Sequence, residues 1–257
     1  MHPTVGKGSA DRRAVPDEQI HREVKMNLKY YRSLRIVGIL AFLLPQAPVA
    51  QVPPSAQSIA HYEGLLAAAA RGDATRIRAL AVEKGNVDVR DTRQRTPLHV
   101  ATYSAQHDAM RTLVAAGADP NAMEQDDYDI VTIAAVADDL STLRVALELG
   151  ASPANVTSPY QGTALIAAAH LGHHQVVRTL IEAGAPLDHV NNLGWTAVIE
   201  SIVLGDGGDR HVATLEALIE GGADINLPDR NGRTPLALAR RMGYSRMVTL
   251  LESAGAR

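Results

Sequence analysis

Thr96-Pro97-Leu98-His99-Val100-Ala101 is the stretch that decides the fold, because it recurs. Its pattern returns in Thr163-Ala164-Leu165-Ile166-Ala167-Ala168, in Thr196-Ala197-Val198-Ile199 and in Thr234-Pro235-Leu236-Ala237-Leu238-Ala239. A degenerate copy, Asp129-Ile130-Val131-Thr132-Ile133-Ala134, fills the gap between the first two. The anchors at 96, 129, 163, 196 and 234 are 33, 34, 33 and 38 residues apart. A fixed period of that size marks a stacked array of supersecondary units rather than one globular core.

Each copy has a physical logic. Thr, or Asp129, offers a side-chain oxygen to the free N–H groups that open a helix. Pro at the next position has a helical φ already and gives up an N–H that had no partner. Leu98, Leu165 and Leu236 then point into the stack, and Ala101/Thr102, Ala134/Ala135 and Ala168/Ala169 keep the helix thin enough for close approach. Sixteen residues after the first small residue comes Gly117, Gly150, Gly184 or Gly255. Glycine there suits the left-handed turn that ends a second helix. Leu113/Val114, Leu147, Leu180/Ile181, Leu218/Ile219 and Leu250/Leu251 form the apolar stripe of that second helix.

Phrases such as Leu-Val-Ala-Ala-Gly-Ala-Asp-Pro-Asn (113–121) and Leu-Ile-Glu-Gly-Gly-Ala-Asp-Ile-Asn (218–226) complete the unit. The sequence resembles the ankyrin repeat family over about residues 62–257. The resemblance implies an all-α solenoid of about six helix-turn-helix repeats joined by β-hairpin loops, and a non-enzymatic, protein-binding role. It also assigns His99 a structural hydrogen bond. The third repeat lacks Thr-Pro, and the fifth carries about five extra residues around Gly205–Arg210. The first repeat, about Tyr62–Gln94, opens on Gly64-Leu65-Leu66 instead, as a terminal repeat with one face in water commonly does. Arg240, Arg241 and Arg246 give the last repeat the polar outer face of a cap, so an array closed at both ends is expected.

Ahead of the repeats the composition changes. Residues 1–25 are polar with charges of both signs and read as disordered or as an over-extended start, with Met26 the alternative first residue. In 26–50, Lys29, Arg32 and Arg35 precede the apolar run Ile36–Leu44 and a Pro/Ala tail, the order of a secretory signal peptide. The run is too short for a bilayer of about 30 Å. The competing account is a buried helix of the first repeat. Residues 51–61 read as a linker. These features predict a bacterial protein exported to the periplasm or secreted, with no stable membrane span beyond the signal segment.

Charge divides at the same place. Residues 1–50 hold 8 Lys/Arg and 4 Asp/Glu, net +4, whereas residues 51–257 hold 17 and 24, net −7. An acidic repeat region argues against nucleic acid, where affinity rests on neutralising phosphates. With no cysteine, disulfides, thiolate metal sites and catalytic thiols are excluded.

The sequence holds no phosphate loop, no G-x-S-x-G and no H-E-x-x-H, so neither catalysis nor a cofactor is expected. His170, His173 and His174 have helical spacing for two imidazoles on one face, yet no carboxylate stands at ligand spacing, so no metal is assigned. Asp126-Asp127-Tyr128-Asp129 lacks the calcium-loop spacing and reads as a hairpin tip. What remains is binding surface. The repeat register, by the family resemblance, places Arg93, Arg95, Tyr128, Tyr160, Leu193, Trp195, Arg230 and Arg233 at hairpin tips, and Tyr103 and His170 on inner helices. Tyr, Trp and Arg dominate interface energetics. These ten residues are the expected contact set of a protein partner, bound by a monomer. Two other functions fit the sequence. One is an inhibitor or immunity-type protein with Gly205–Arg210 as a protruding element; the other is an effector acting in a host cell.

Overall fold

The computed structural model describes residues 51–257; the expectations for 1–25 and 26–50 lie outside the described residues. Among the described residues thirteen helices follow one another: α1 Ala56–His61, α2 Gly64–Ala70, α3 Ala74–Lys84, α4 Pro97–Tyr103, α5 His107–Ala115, α6 Ile130–Val136, α7 Leu140–Glu148, α8 Ala164–Leu171, α9 His174–Glu182, α10 Ala197–Val203, α11 Asp209–Glu220, α12 Pro235–Met242 and α13 Ser245–Ser253. From α2 onward they pair as six helix-turn-helix units. The first helices α2, α4, α6, α8, α10 and α12 stack in one row, and the second helices α3, α5, α7, α9, α11 and α13 in another. The stretch expected as a linker contains α1, nucleated by the Ser55 side chain accepting from the Ser58 N–H at 3.0 Å.

The recurring anchors do what their chemistry dictates. Thr96, Asp129, Thr163, Thr196 and Thr234 each cap a first helix by accepting from the backbone N–H three residues on. A lost cap costs about 1 kcal/mol. Leu98 and Leu165 are fully buried between rows, and Ala101, Ala134, Ala135, Ala168 and Ala169 are equally inaccessible, as thin helices in close contact require. The turn ending each second helix is left-handed, with φ of 97° at Gly117, 87° at Gly150, 86° at Gly184 and 85° at Gly255. The tighter turn inside each helix pair is left-handed too. Glycine serves at Gly72, Gly172 and Gly243, but Ala105 (φ 49°) and Asp138 (φ 58°) hold that conformation without it.

His99 is buried and takes the structural part its family resemblance implies. Its Nδ1 accepts from the Thr96 N–H at 3.2 Å and lies 2.8 Å from Thr96 Oγ1, while Nε2 donates to the Tyr128 carbonyl of the next repeat at 3.2 Å. Burial pushes its pKa down to about 4, so the ring is neutral at pH 7.

Two details differ from the sequence reading. The hairpin loops contain no strand among the described residues; each closes on a pair of backbone bonds, such as Asp91 N–H to Arg95 O at 3.1 Å and Gln94 N–H to Asp91 O at 3.0 Å, and Thr157–Gly162 forms an isolated bridge. The fifth-repeat insertion does not protrude. Tyr244 Oη donates to the Gly205 carbonyl at 2.9 Å, and the Arg210 guanidinium reaches back two repeats to Asp138 at 2.8 Å and to the Gly172 carbonyl at 3.3 Å. His211 Nε2 also donates to the His170 carbonyl at 3.0 Å. The extra residues instead lengthen α11 to 12 residues and tie it to α8.

Candidate functional site

Five loops, each leading into a first helix, line up along one edge. A polar residue organises each from inside. Asp91 Oδ1 accepts from the N–H groups of Arg93 (2.8 Å) and Arg95 (2.9 Å), and Asn191 Oδ1 from those of Leu193 and Trp195, both at 3.0 Å. Glu124 Oε1 accepts from Asp126 and Tyr128, and Asp229 Oδ1 from Asn231 and Arg233. A side chain that satisfies two loop donors fixes the loop without a sheet. The tips are then joined across repeats: Gln125 N–H donates to Arg93 O (3.0 Å), Ser158 N–H to Asp127 O (2.9 Å) and Asn192 N–H to Tyr160 O (2.9 Å). At the last tip the Arg230 side chain takes over, crossing Gly194 to donate to the Asn192 carbonyl. The edge is thus a continuous hydrogen-bonded rail.

The ten residues expected at contacts divide sharply. Arg95 is 2% exposed, Trp195 3% and Tyr128 8%, so these three are corrected from surface anchors to internal parts. Arg95 pairs with Asp91 (2.7 Å) and donates to the Val52 carbonyl (3.2 Å). A loop position that folds under its own tip loses its surface to the neighbouring repeat. Arg93 and Arg233 are half-buried in ion pairs with Asp126 (2.5 Å) and Asp229 (2.6 Å). Tyr160 and Leu193 are half-buried on the rail, and Arg230 is exposed there. Tyr103 and His170 occupy the same register, seven residues after Thr96 and Thr163, on the first helices behind the tips. Burial, with Glu124 nearby, raises the Tyr103 phenol pKa, and its buried Oη has no hydrogen-bond partner.

The metal reading of the histidine group finds no geometry: His173 Nδ1 bonds to the Ala135 carbonyl at 2.9 Å, turned into the array. Among the described residues no group of three or more His, Cys, Asp or Glu is placed to hold an ion, and no helix is long and apolar enough to cross a membrane.

Sequence reasoning missed Glu200 and the loop organisers. Glu200 is 4% exposed on α10, with Oε1 accepting from Asn191 Nδ2 at 2.8 Å. Burial, opposed by that hydrogen bond, pushes its carboxyl up to about 8. A signal was present in both cases. Asp91, Glu124, Ser158, Asn191 and Asp229 each stand five residues before an anchor, and Glu200 stands where the other copies carry Val100, Ile133, Ala167 and Leu238.

Stacked helix pairs with a rigid loop edge define a helical-repeat solenoid, built to present surface. The ankyrin repeats (3 copies) family matches residues 38–124 and 131–229, the first match beginning inside the apolar run 36–44. The ankyrin repeat protein YahD of Escherichia coli (strain K12) is 33% identical over 193 residues, which is 74% of this chain and 95% of YahD. An ankyrin repeat domain crystallised from Acinetobacter baumannii AYE superposes with a TM-score of 0.69 at 42% identity, covering 75% of this chain and 98% of that one. The ankyrin repeat domain of Bcl-3 gives a TM-score of 0.68 at 25% identity, covering 77% and 88%. The chain belongs to the ankyrin repeat family. Its fold is a non-enzymatic interaction scaffold, and the protein is a protein–protein interaction module.

Proposed function

We propose that the loop edge and the exposed ends of the first helices receive one folded protein partner, with Tyr160, Leu193, Arg230, Tyr103 and His170 at the contact and the chain acting as a monomer. The observation that carries this reading is the rail itself. Tips locked to one another by bonds such as Asn192 N–H to Tyr160 O at 2.9 Å need no ordering on binding. A preformed surface of this kind keeps the entropic cost of association low. The net charge of −7 over residues 51–257 favours a basic patch on the partner.

The test is affinity capture by the full chain beside a Tyr160→Ala/Leu193→Ala variant, both shown to melt alike. A protein retained by the first and lost from the second supports the surface; equal retention moves the site off the edge. Trp195 and Tyr128 are unsuitable targets, since removing either hollows the array instead of trimming its surface.

Export to a bacterial periplasm is the second part of the proposal. It is supported by the order of basic residues, apolar run and Pro/Ala tail in 26–50. The family match beginning at residue 38 favours the competing account of the run as part of a repeat. The mature N-terminus decides: a protein trimmed near residue 50 in the periplasmic fraction supports export, and an intact Ile36–Leu44 in the cytosol refutes it. The inhibitor alternative gains nothing from Gly205–Arg210, which is tied down to the array.

A further inference from the structure

Glu200 leaves one acceptor unmet. Its Oε2 is buried and has no hydrogen-bond partner, while Oε1 is taken by Asn191 Nδ2 at 2.8 Å. Buried carboxylate oxygens are costly unless a donor meets them. Beside Oε2 stands His170 Nδ1, 3.9 Å away, on a side chain that is 39% exposed at the end of α8. The gap is too long for a direct hydrogen bond. The pair therefore offers two atoms able to accept, a buried carboxyl oxygen and a ring nitrogen on a half-exposed side chain of the proposed docking face.

We propose that Glu200 Oε2 and His170 Nδ1 together receive the ammonium group of a lysine side chain carried by the protein partner. The inference rests on the reading of this face as the docking surface. One ammonium nitrogen at roughly 2.8 Å from each atom spans acceptors 3.9 Å apart, and its third proton is free for water. An arginine fits less well. Its two-pronged grip needs both carboxylate oxygens, and Asn191 holds one of them. The imidazole is suited to accept. Burial first, then the neighbouring His211 and His173, lowers its pKa, so the ring is neutral at pH 7, and the tautomer protonated at Nε2 presents Nδ1 as an acceptor.

The other histidines and charged side chains around α10 are engaged elsewhere. On α8's turn His173 faces the Ala135 carbonyl, and on α11 His211 bonds to the His170 carbonyl and to Asp206. On α12, Arg240 pairs with Glu252 at 2.6 Å. The incoming ammonium must displace the proton of a carboxyl whose pKa burial has pushed up to about 8. The ionised fraction is about a tenth at pH 7 and about nine tenths at pH 9. Binding therefore strengthens about tenfold over that interval, while a lysine ammonium, with its ordinary pKa of about 10.4, stays charged.

The experiment titrates the full chain with Nα-acetyl-lysine N-methylamide, read by fluorescence of Trp195, the single tryptophan, whose backbone N–H donates to the same Asn191 side chain that donates to Glu200. Expected are saturable binding, an affinity about tenfold higher at pH 9 than at pH 7, no response to the norleucine analogue, and loss of binding in a Glu200→Gln protein with an unchanged circular dichroism spectrum. No saturation at pH 9, or equal binding by the variant, overturns the assignment and leaves Oε2 to a resident water or to its own proton shared with His170. Tighter binding of free cadaverine overturns the partner-borne source. Since Tyr160→Ala/Leu193→Ala capture is read separately, a partner retained by a chain blind to the lysine probe leaves the docking surface standing and removes only this inference.

Discussion

Replacing Glu200 by Gln should turn a pH-dependent weakness of the array into a pH-independent one. The carboxyl titrates near its ordinary 4.5 in the unfolded chain but is pushed up to about 8 by burial in the native state. Below pH 4.5 both states hold the proton and the group contributes no difference. As pH rises, the unfolded chain ionises first, so native stability falls by about 1.4 kcal/mol per unit until the native carboxyl itself ionises near pH 8. The loss is about 3 kcal/mol at pH 7 and about 5 kcal/mol in all, set by the 3.5-unit gap. Gln keeps an oxygen for Asn191 Nδ2 and has no proton to lose. Urea unfolding followed by far-UV circular dichroism, on both proteins from pH 4.5 to 9, isolates the group, because all other titrations cancel in the difference. The variant should gain on the wild type by about 3 kcal/mol between pH 4.5 and 7. Parallel curves across the whole range would refute the reasoning and mean that water reaches the carboxyl.

Trp195→Ala should destabilise the array by about 3–5 kcal/mol in chemical denaturation, as a buried indole leaves a cavity; a loss under 1 kcal/mol would return Trp195 to the surface. Ala105→Gly should stabilise by about 1 kcal/mol, because φ of 49° strains a side chain that glycine lacks; a lower melting temperature would show that the turn is not strained. His99 sets the acid limit. Its pKa, lowered to about 4, means the unfolded chain takes a proton as pH falls below 6.5 and the native state does not. The contribution of His99, fully present above pH 6.5, should therefore drop by about 3 kcal/mol on the way to pH 4, read as the difference between the wild type and a His99→Gln protein. The share due to His170, whose pKa is lowered too, should remain in the variant; curves for the two proteins that stay parallel from pH 6.5 to 4 would place the acid sensitivity away from His99.

Much of the architecture was legible because its causes are local. A Thr or Asp that caps, a Pro with a preset φ, alanines that thin a helix and a glycine at a left-handed turn are each read from a few neighbouring residues. Their recurrence every 33 or 34 residues supplied the stacking partner. The candidate site was less legible. Register places Trp195, Tyr128 and Arg95 at loop tips, yet the loops fold over them, and Arg95 is spent on Asp91 and Val52. Register also places Tyr160 and Leu193 there, and those keep part of their surface.

The sequence by itself determined the repeat, its helix pairs, its capping residues and its family, since period and cap chemistry depend on short stretches alone. Only the tertiary structure decided which side of each loop faces solvent, that the fifth-repeat insertion lies against its neighbours, and that Glu200 keeps one oxygen without a donor. Those are properties of exposure and partnering. They are set by atoms from the adjoining repeats, more than thirty residues away in the chain, and no local pattern encodes them.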